Sequence, residues 1–331
     1  MEKLGRIAII GGGSWATAIA KMVLTQKEQI SWYMHRQDRI DSFKAKGHNP
    51  AYLTNVKFDV NKIKFSINID ECIQNADTII FVTPSPYLKA ELSNLTVSLK
   101  NKLIVTAIKG IIPGENLIVS DFFTHKYGVE ADRIAVIAGP CHAEEVAKHQ
   151  LSYLTISCTD LSKAKSISSL LTSEYVRVTI SKDVAGVEYG SVLKNVYAIC
   201  SGIYQGLAYG DNFQAVLLSN CIQEMNHFLN KVHPLNRSIC ESVYLGDLLV
   251  TGYSKYSRNR TFGFSIGRGH SVESAQAEMG MVAEGYYGTK CIYEINQKYQ
   301  VDMPILAAVH DVLYNSANSE EVMRELTNKL K

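Results

Sequence analysis

Six short β-rich runs, most of them apolar and about five residues long, recur through the first half of the chain, at 6–10, 30–34, 63–66, 78–82, 103–107 and 134–138. Runs this short and mostly apolar suit strands buried on both faces of a parallel sheet. Helical patterns lie between them, including 15–26, 86–99 and 115–125. Alternation of this kind needs crossover connections, which build a doubly wound α/β sheet. Strand-like runs at 153–157 and 176–180 flank one more helical pattern, at 162–171. From Lys182 onward long helical patterns dominate. The first of these, near 183–206, is apolar almost all round and reads as a central buried helix. Its Gly186, Gly190 and Gly202 would let other backbones approach closely.

Composition excludes several classes. The 331 residues suffice for two domains. A net charge of +2 argues against a broad nucleic-acid surface. Seven cysteines, an odd number with no C-x-x-C pair, argue against a disulfide framework or a zinc knuckle and fit a reducing compartment. The histidines show no H-E-x-x-H spacing, and no metal is expected. No secretory leader and no membrane-length apolar stretch is read from the sequence, so a cytoplasmic protein is expected. A homodimer is the assembly to consider, because cyclic dimers are the commonest homo-oligomers.

The first strand runs into Gly11-Gly12-Gly13-Ser14-Trp15-Ala16. Gly11, Gly13 and Ala16 occupy the three positions of a dinucleotide-binding G-x-G-x-x-G/A turn. Gly11 permits the tight turn, Gly13 leaves room for a pyrophosphate, and Ala16 allows close helix–strand packing. The helix N-terminus offers unpaired N–H groups to the phosphates. A glycine triplet alone is a weak signal, but the strand before it and the helix after it supply the required context. The expected architecture is therefore a Rossmann-like NAD(P)-binding domain over residues 1–181 and an all-helical substrate domain over 182–331. After the second strand, where NAD sites usually carry an acid, the chain reads Met34-His35-Arg36. Arg36 either pairs with the 2′-phosphate of NADP or simply opens a surface helix, so NAD and NADP both stay open.

Candidate reaction residues fall later. Lys109 ends the fifth strand and is either directed into the crevice or an ordinary solvated lysine. Lys194 lies inside the apolar helix. If buried, its pKa would fall and suit proton transfer to a carbonyl oxygen; if it snorkels, it is a surface cation. Ser257-Arg258-Asn259-Arg260 is either a phosphate clamp or a polar loop. Glu284 is either a cofactor hydrogen-bond partner or a solvated helix residue.

Together these segments resemble the bacterial NAD(P)-dependent glycerol-3-phosphate dehydrogenases. The likeness runs over almost the whole chain, in the family's order. Gly11 to Ala18 is similar to its G-x-G-S-Y/W-G/A-T-A loop, Ala107 to Gly110 to A-T-K-G, and Ala138-Gly139-Pro140 to S-G-P. Gly190 to Asn195 resembles G-x-x-x-K-N. Leu245 to Leu248, Ser257 to Arg260 and Val282 to Gly285 resemble L-G-D-L, S-R-N-R and V-x-E-G. The resemblance implies reduction of dihydroxyacetone phosphate to sn-glycerol 3-phosphate with NADH or NADPH, supplying glycerophospholipid synthesis. It implies Lys194 as the proton donor and acceptor. Lys109, Gly139, Cys141, Asp247, Ser257, Arg258 and Asn259 would contact the three-carbon phosphorylated substrate. Ser14, Trp15, His35, Lys109, Ala143, Arg258, Val282 and Glu284 would contact the cofactor. Cys141, His142, Ile108 and Asn220 depart from the family's usual residues.

Three other readings are weaker. A 3-hydroxyacid or 6-phosphogluconate type dehydrogenase would carry K-x-x-N, whereas here Asn195 follows Lys194 at once and Tyr197 holds the third place. A nucleotide-sensing module without catalysis would not need the lysine and arginine set. Gly263-Phe264-Ser265-Ile266-Gly267 matches a hydrolase elbow, but no apolar strand precedes it.

Overall fold

The computed structural model describes residues 3–280 and 282–331, and the chain forms two compact units. One comprises Met1–Ile108 and Val119–Val184, the other Lys109–Ile118 and Ala185–Lys331. The second unit thus takes in 109–118, which chain order alone would assign to the first domain.

All six expected apolar runs are strands or contain one. The first five are β1 (Ile7–Ile10), β2 (Ile30–Tyr33), β3 (Ile63–Ser66), β4 (Thr78–Phe81) and β5 (Leu103–Thr106). In the second unit Ile111–Ile112 (β6) and Leu117–Ile118 (β7) pair as an antiparallel hairpin. The first unit resumes with β8 (Ile134–Ala138), β9 (Ser152–Cys158) and β10 (Val176–Ser181). Among the described residues eight strands form one sheet in the order β10-β9-β8-β5-β4-β1-β2-β3. Every neighbouring pair is parallel except β8 and β9. The chain steps outward from β1 to β3 and then returns to β4 beside β1. That reversal opens a crevice at the carboxyl ends of β1 and β4, where such sheets bind ligands.

Two helical expectations are corrected. The pattern at 86–99 yields a helix only over Ser85–Glu91. The Asp70 carboxylate accepts hydrogen bonds from the Thr96 and Val97 backbone N–H groups (3.0 and 3.2 Å) and from the Thr96 hydroxyl. These bonds hold that stretch outside a helix. The pattern at 115–125 yields a helix at Val119–Tyr127, because 117–118 is taken by β7. The Pro113-Gly114 pair was the available turn signal, and Gly114 has φ +77°.

β1, β4, β5 and β8 are buried along their whole length and are apolar apart from Thr78 and Thr106. Beneath β2 the indole of Trp32, fully buried, packs against Phe43, Phe58 and Phe65 at 5.4, 5.8 and 5.8 Å between centroids. Such a cluster removes much apolar area from water and fixes the strand that ends at the crevice.

The second unit is built around the helix Val184–Gly206, buried at nearly every position, as its uniform apolarity predicts. Glu224, on the helix Asp211–Val232, accepts from the Ile305 and Leu306 N–H groups at 2.8 and 3.1 Å and so caps the helix Pro304–Tyr314. Burial lifts its carboxyl to about 8, against the two N–H bonds that favour the ion. Among the described residues no helix is long and apolar enough to cross a membrane.

Candidate active site

The glycine turn occupies the crevice end of β1. Its carbonyls are tied back into the protein. The Trp32 indole N–H donates to Gly11 O (2.7 Å), the Asn49 amide to Gly12 O (3.0 Å), and the Thr17 hydroxyl to Gly13 O (2.8 Å). Asn49 also donates to Thr17 Oγ1 at 2.8 Å. The turn is therefore held with its carbonyls engaged. The N-cap of the following helix, Ser14–Gln26, is Gly13, which has no side chain to cap the first-turn N–H groups. A helix start of this kind suits an anion.

The two key glycines differ in what they need. Gly11 has φ +123°, and a Cβ there would lie 3.0–3.1 Å from the backbone of Val82 and Thr83. Gly13 has an ordinary φ of −80°, and a Cβ there would meet nothing within 4 Å. The fold needs the first glycine; the second leaves open space where a pyrophosphate would touch the backbone, and so the turn fits a dinucleotide. Gly11→Ala should therefore lose about 1–3 kcal/mol of stability in a denaturant titration. Gly13→Ala should fold like the parent yet bind NADH at least tenfold more weakly, roughly 1.4 kcal/mol. Equal NADH affinity in Gly13→Ala and parent would remove that glycine from the site.

A cleft of about 620 Å³ extends from this turn past the ends of β2 and β4. His35, Arg36 and Arg39 line one stretch of it, and Thr83, Tyr87 and Glu91 another. Arg36 lies on the cleft, but its guanidinium is engaged: Nε and Nη2 donate to the two oxygens of Asp38 at 2.9 and 2.5 Å. It also precedes the helix Gln37–Lys46 as its N-cap residue. Ser14 and Ala16 are buried in the first helix, and Trp15 is half-buried. Gly139 closes β8 with φ +109°. Cys141 is half-buried, and Ala143 opens the short helix Ala143–Ala147. These three belong to the first unit.

In the second unit three expected residues meet. The Lys194 ammonium donates to one Asp247 oxygen at 2.5 Å, and Lys109 to the other at 3.3 Å. The side chains of Lys194 and Asp247 are 6% and 1% exposed, so Lys194 does not snorkel. One carboxylate thus faces two cations in a water-poor setting. Burial drives the Lys194 pKa down; Asp247 opposes this, and the second ammonium at Lys109 reinforces it, leaving a value of about 7. For Asp247, burial pushes upward, but the two lysines together outweigh it and hold the carboxyl below its usual value. An amine near neutrality beside a fixed anion can both give and take a proton at physiological pH.

The backbone around this cluster is interlocked. Asn195 donates to Lys109 O at 2.8 Å. A Cβ on Gly285 would lie 2.6 Å from Asn195 O, so that glycine is needed for the close approach. The Gly285 N–H donates to Asn259 Oδ1 at 2.9 Å. Asn259, expected on the substrate, therefore spends its carbonyl oxygen on the protein. Ser257 is buried and accepts from Arg260 N at 3.3 Å as the cap of the helix Arg258–Gly267. Arg258 is half-buried at the first position of that helix. Val282 and Glu284 are half-buried beside the start of the helix Glu284–Tyr299. Sequence reasoning missed Asn49 and gave Asn195 no role, since an asparagine at such a position carries no periodic signal. It also missed the single π-helical turn Ser242–Gly246 that presents Asp247. Such turns are frequent at functional sites.

Comparison with known proteins identifies the family. Residues 6–164 match the family described as NAD-dependent glycerol-3-phosphate dehydrogenase N-terminus, and residues 183–324 match its C-terminus. The chain is 34% identical over 331 residues to glycerol-3-phosphate dehydrogenase [NAD(P)+] of Streptococcus uberis, covering 98% of this chain and 97% of that one. It is 34% identical over 325 residues to the Bacillus subtilis protein of the same name, covering 97% and 93%. The crystal structure of glycerol-3-phosphate dehydrogenase from Coxiella burnetii superposes with a TM-score of 0.89 at 28% identity, over 98% of both chains. The two matched segments account for most of the sequence, and the chain belongs to the NAD-dependent glycerol-3-phosphate dehydrogenase family.

Proposed function

We propose that this protein interconverts dihydroxyacetone phosphate and sn-glycerol 3-phosphate with NADH or NADPH. The observation that carries the reading is the buried Lys194–Asp247–Lys109 cluster, in a chain whose first unit holds a glycine turn shaped for a dinucleotide. When bound, the reduced nicotinamide supplies a hydride to C2 of the ketone. Lys194 gives its proton to the O2 oxygen as negative charge develops there, and a secondary alcohol results. In the reverse direction the neutral amine takes that proton back. Asp247 fixes both lysine head groups, and Lys109 adds a second positive charge near the developing alkoxide. Preorganised charge of this kind requires little rearrangement during reaction. Arg258 offers a guanidinium for the substrate phosphate. The remaining Asn259 amide group is available beside it.

Gly139, Cys141, Ser257 and Asp247 as further substrate contacts belong to the same reading. So do Ser14, Trp15, His35, Arg36, Ala143, Val282 and Glu284 as cofactor contacts. The seven cysteines are all free thiols, which supports a cytoplasmic setting. A homodimer is the proposed assembly, to be checked by sedimentation. The decisive experiment is nicotinamide absorbance with dihydroxyacetone phosphate and, separately, NADH or NADPH. Oxidation of at least one reduced cofactor is expected. No oxidation of either, with a folded protein, would overturn the assignment.

A further inference from the structure

Glu91 is a carboxylate that neither the glycine turn nor the lysine cluster explains. It ends the helix Ser85–Glu91 and lines the dinucleotide cleft. The Thr83 hydroxyl, at the end of β4, donates to Glu91 Oε2 at 2.5 Å and fixes the side chain. Among the described residues that is its only hydrogen-bond partner, and no cation pairs with it. Burial in the cleft raises its pKa, against the threonine bond. Tyr87, four residues earlier, is half-exposed on the same cleft, and positions four apart share a helix face. The ring and the carboxylate thus line one wall.

The sequence makes this placement informative. In NAD-binding sheets of this type the acid that reads the adenosine ribose stands after β2. Here that position is Met34-His35-Arg36, and the cleft's acid comes from beyond β4 instead. A carboxylate repels phosphate groups, so its partner in a dinucleotide is a neutral donor. The adenosine half carries such donors: the ribose hydroxyls and the adenine amino group.

We propose that Glu91, held by Thr83, is a cofactor-recognition residue that accepts a hydrogen bond from the adenosine half of the dinucleotide. The inference rests on the dehydrogenase reading and extends it to one residue outside the family motifs quoted above. It requires no bond making and no change of charge during turnover.

The test uses the intact protein and the variants Glu91→Ala and Glu91→Gln. Titration calorimetry with ADP-ribose and fluorescence titration with NADH should show binding about ten- to a hundredfold weaker for Glu91→Ala, the range carried by hydrogen bonds to charged groups. Glu91→Gln, which keeps the shape and one acceptor, should fall between the two. With reduced nicotinamide mononucleotide as hydride donor, which lacks adenosine, kcat/KM should match the parent in both variants. Deamino-NADH then identifies the donor. Weak binding to the parent, with no further loss in Glu91→Ala, assigns the amino group. Parent affinity equal to that for NADH, with the same loss in the variant, assigns a hydroxyl. Unchanged ADP-ribose binding in both variants overturns the proposal, as does an equal loss with the mononucleotide. If the parent itself binds no NADH, the dehydrogenase reading falls first and this proposal with it.

Discussion

Lys194→Ala is expected to lower turnover by about 10²–10⁴-fold, the usual span of general acid–base catalysis, while the dissociation constant for NADH stays the same. The chain should still fold, because Asp247 keeps Lys109 as a partner when Lys194 is removed. Without that second lysine, an orphaned buried carboxylate would typically cost about 3–5 kcal/mol. Equal losses in turnover and cofactor affinity would contradict the role assigned to Lys194.

The same lysine predicts a pH dependence of opposite sign in the two directions. Ketone reduction uses the ammonium form. Its rate should therefore fall as pH rises through about 7, the value that burial imposes on Lys194. Alcohol oxidation uses the neutral amine and should rise over the same interval. Stability should respond as well. The folded pKa lies below the ordinary lysine value of 10.5. Between about 7 and 10.5 the unfolded chain therefore binds more protons at this position, and the Lys194 contribution to stability grows with pH. Lys194→Met should abolish both dependences. Pre-steady-state rates in each direction, measured across pH, would check the catalytic half. A bell or slope surviving in Lys194→Met would assign the titration to another group.

The second large effect is structural. Gly263→Ala should lower stability by about 3 kcal/mol or more, the upper end of overpacking costs. In a domain of this size that is a melting-temperature drop of roughly 6–12 °C. The reason is a pair of helices meeting backbone to backbone. A Cβ on Gly263 would lie 2.0 Å from Ile199 O, and one on Gly267 would lie 2.2 Å from Ile203 O. From the other side, a Cβ on Gly202 would lie 2.1 Å from Arg260 O, and one on Gly206 would lie 2.5 Å from Phe264 O. Two glycines four apart on each helix, 202 with 206 and 263 with 267, form the seam. None of the blocking atoms is a flexible side-chain tip, so the helices must separate. Gly210→Ala is the control: φ is −81° and a Cβ meets nothing within 4 Å. It should change stability by less than about 1 kcal/mol. A melting curve for Gly263→Ala within a degree of the parent would show that the seam adjusts at little cost.

That seam also explains a coincidence. Gly263-Phe264-Ser265-Ile266-Gly267 has the spacing of a hydrolase elbow, yet it lies wholly in the helix Arg258–Gly267. Its glycines are there for helix packing. The placement beside Arg258 and Asn259 gives the seam a functional side, since it seats the helix that carries them at its first turn.

What could be read from residue order was whatever depends on local periodicity. Short, mostly apolar runs separated by helical patterns suit buried strands of a mainly parallel sheet, and Gly11 to Ala16 gains meaning from the strand before it and the helix after it. The apolar circumference of 184–206 likewise placed that helix inside the second unit. Other properties depend on which distant groups become neighbours, and only the tertiary structure decided them. Lys194 could have reached water or a partner; it meets Asp247, 53 positions away, at a depth where desolvation competes with charge. Asn259 could have belonged to a phosphate clamp or a polar loop; its oxygen accepts from the Gly285 N–H, so only its amide group is left for a ligand. Lys109 joins the second unit through a hairpin that a Pro-Gly turn permits but does not by itself dictate. Local pattern sets how each element shields its apolar face. The free energy of a buried charge is set by the few ångströms around it, and folding alone brings those groups together.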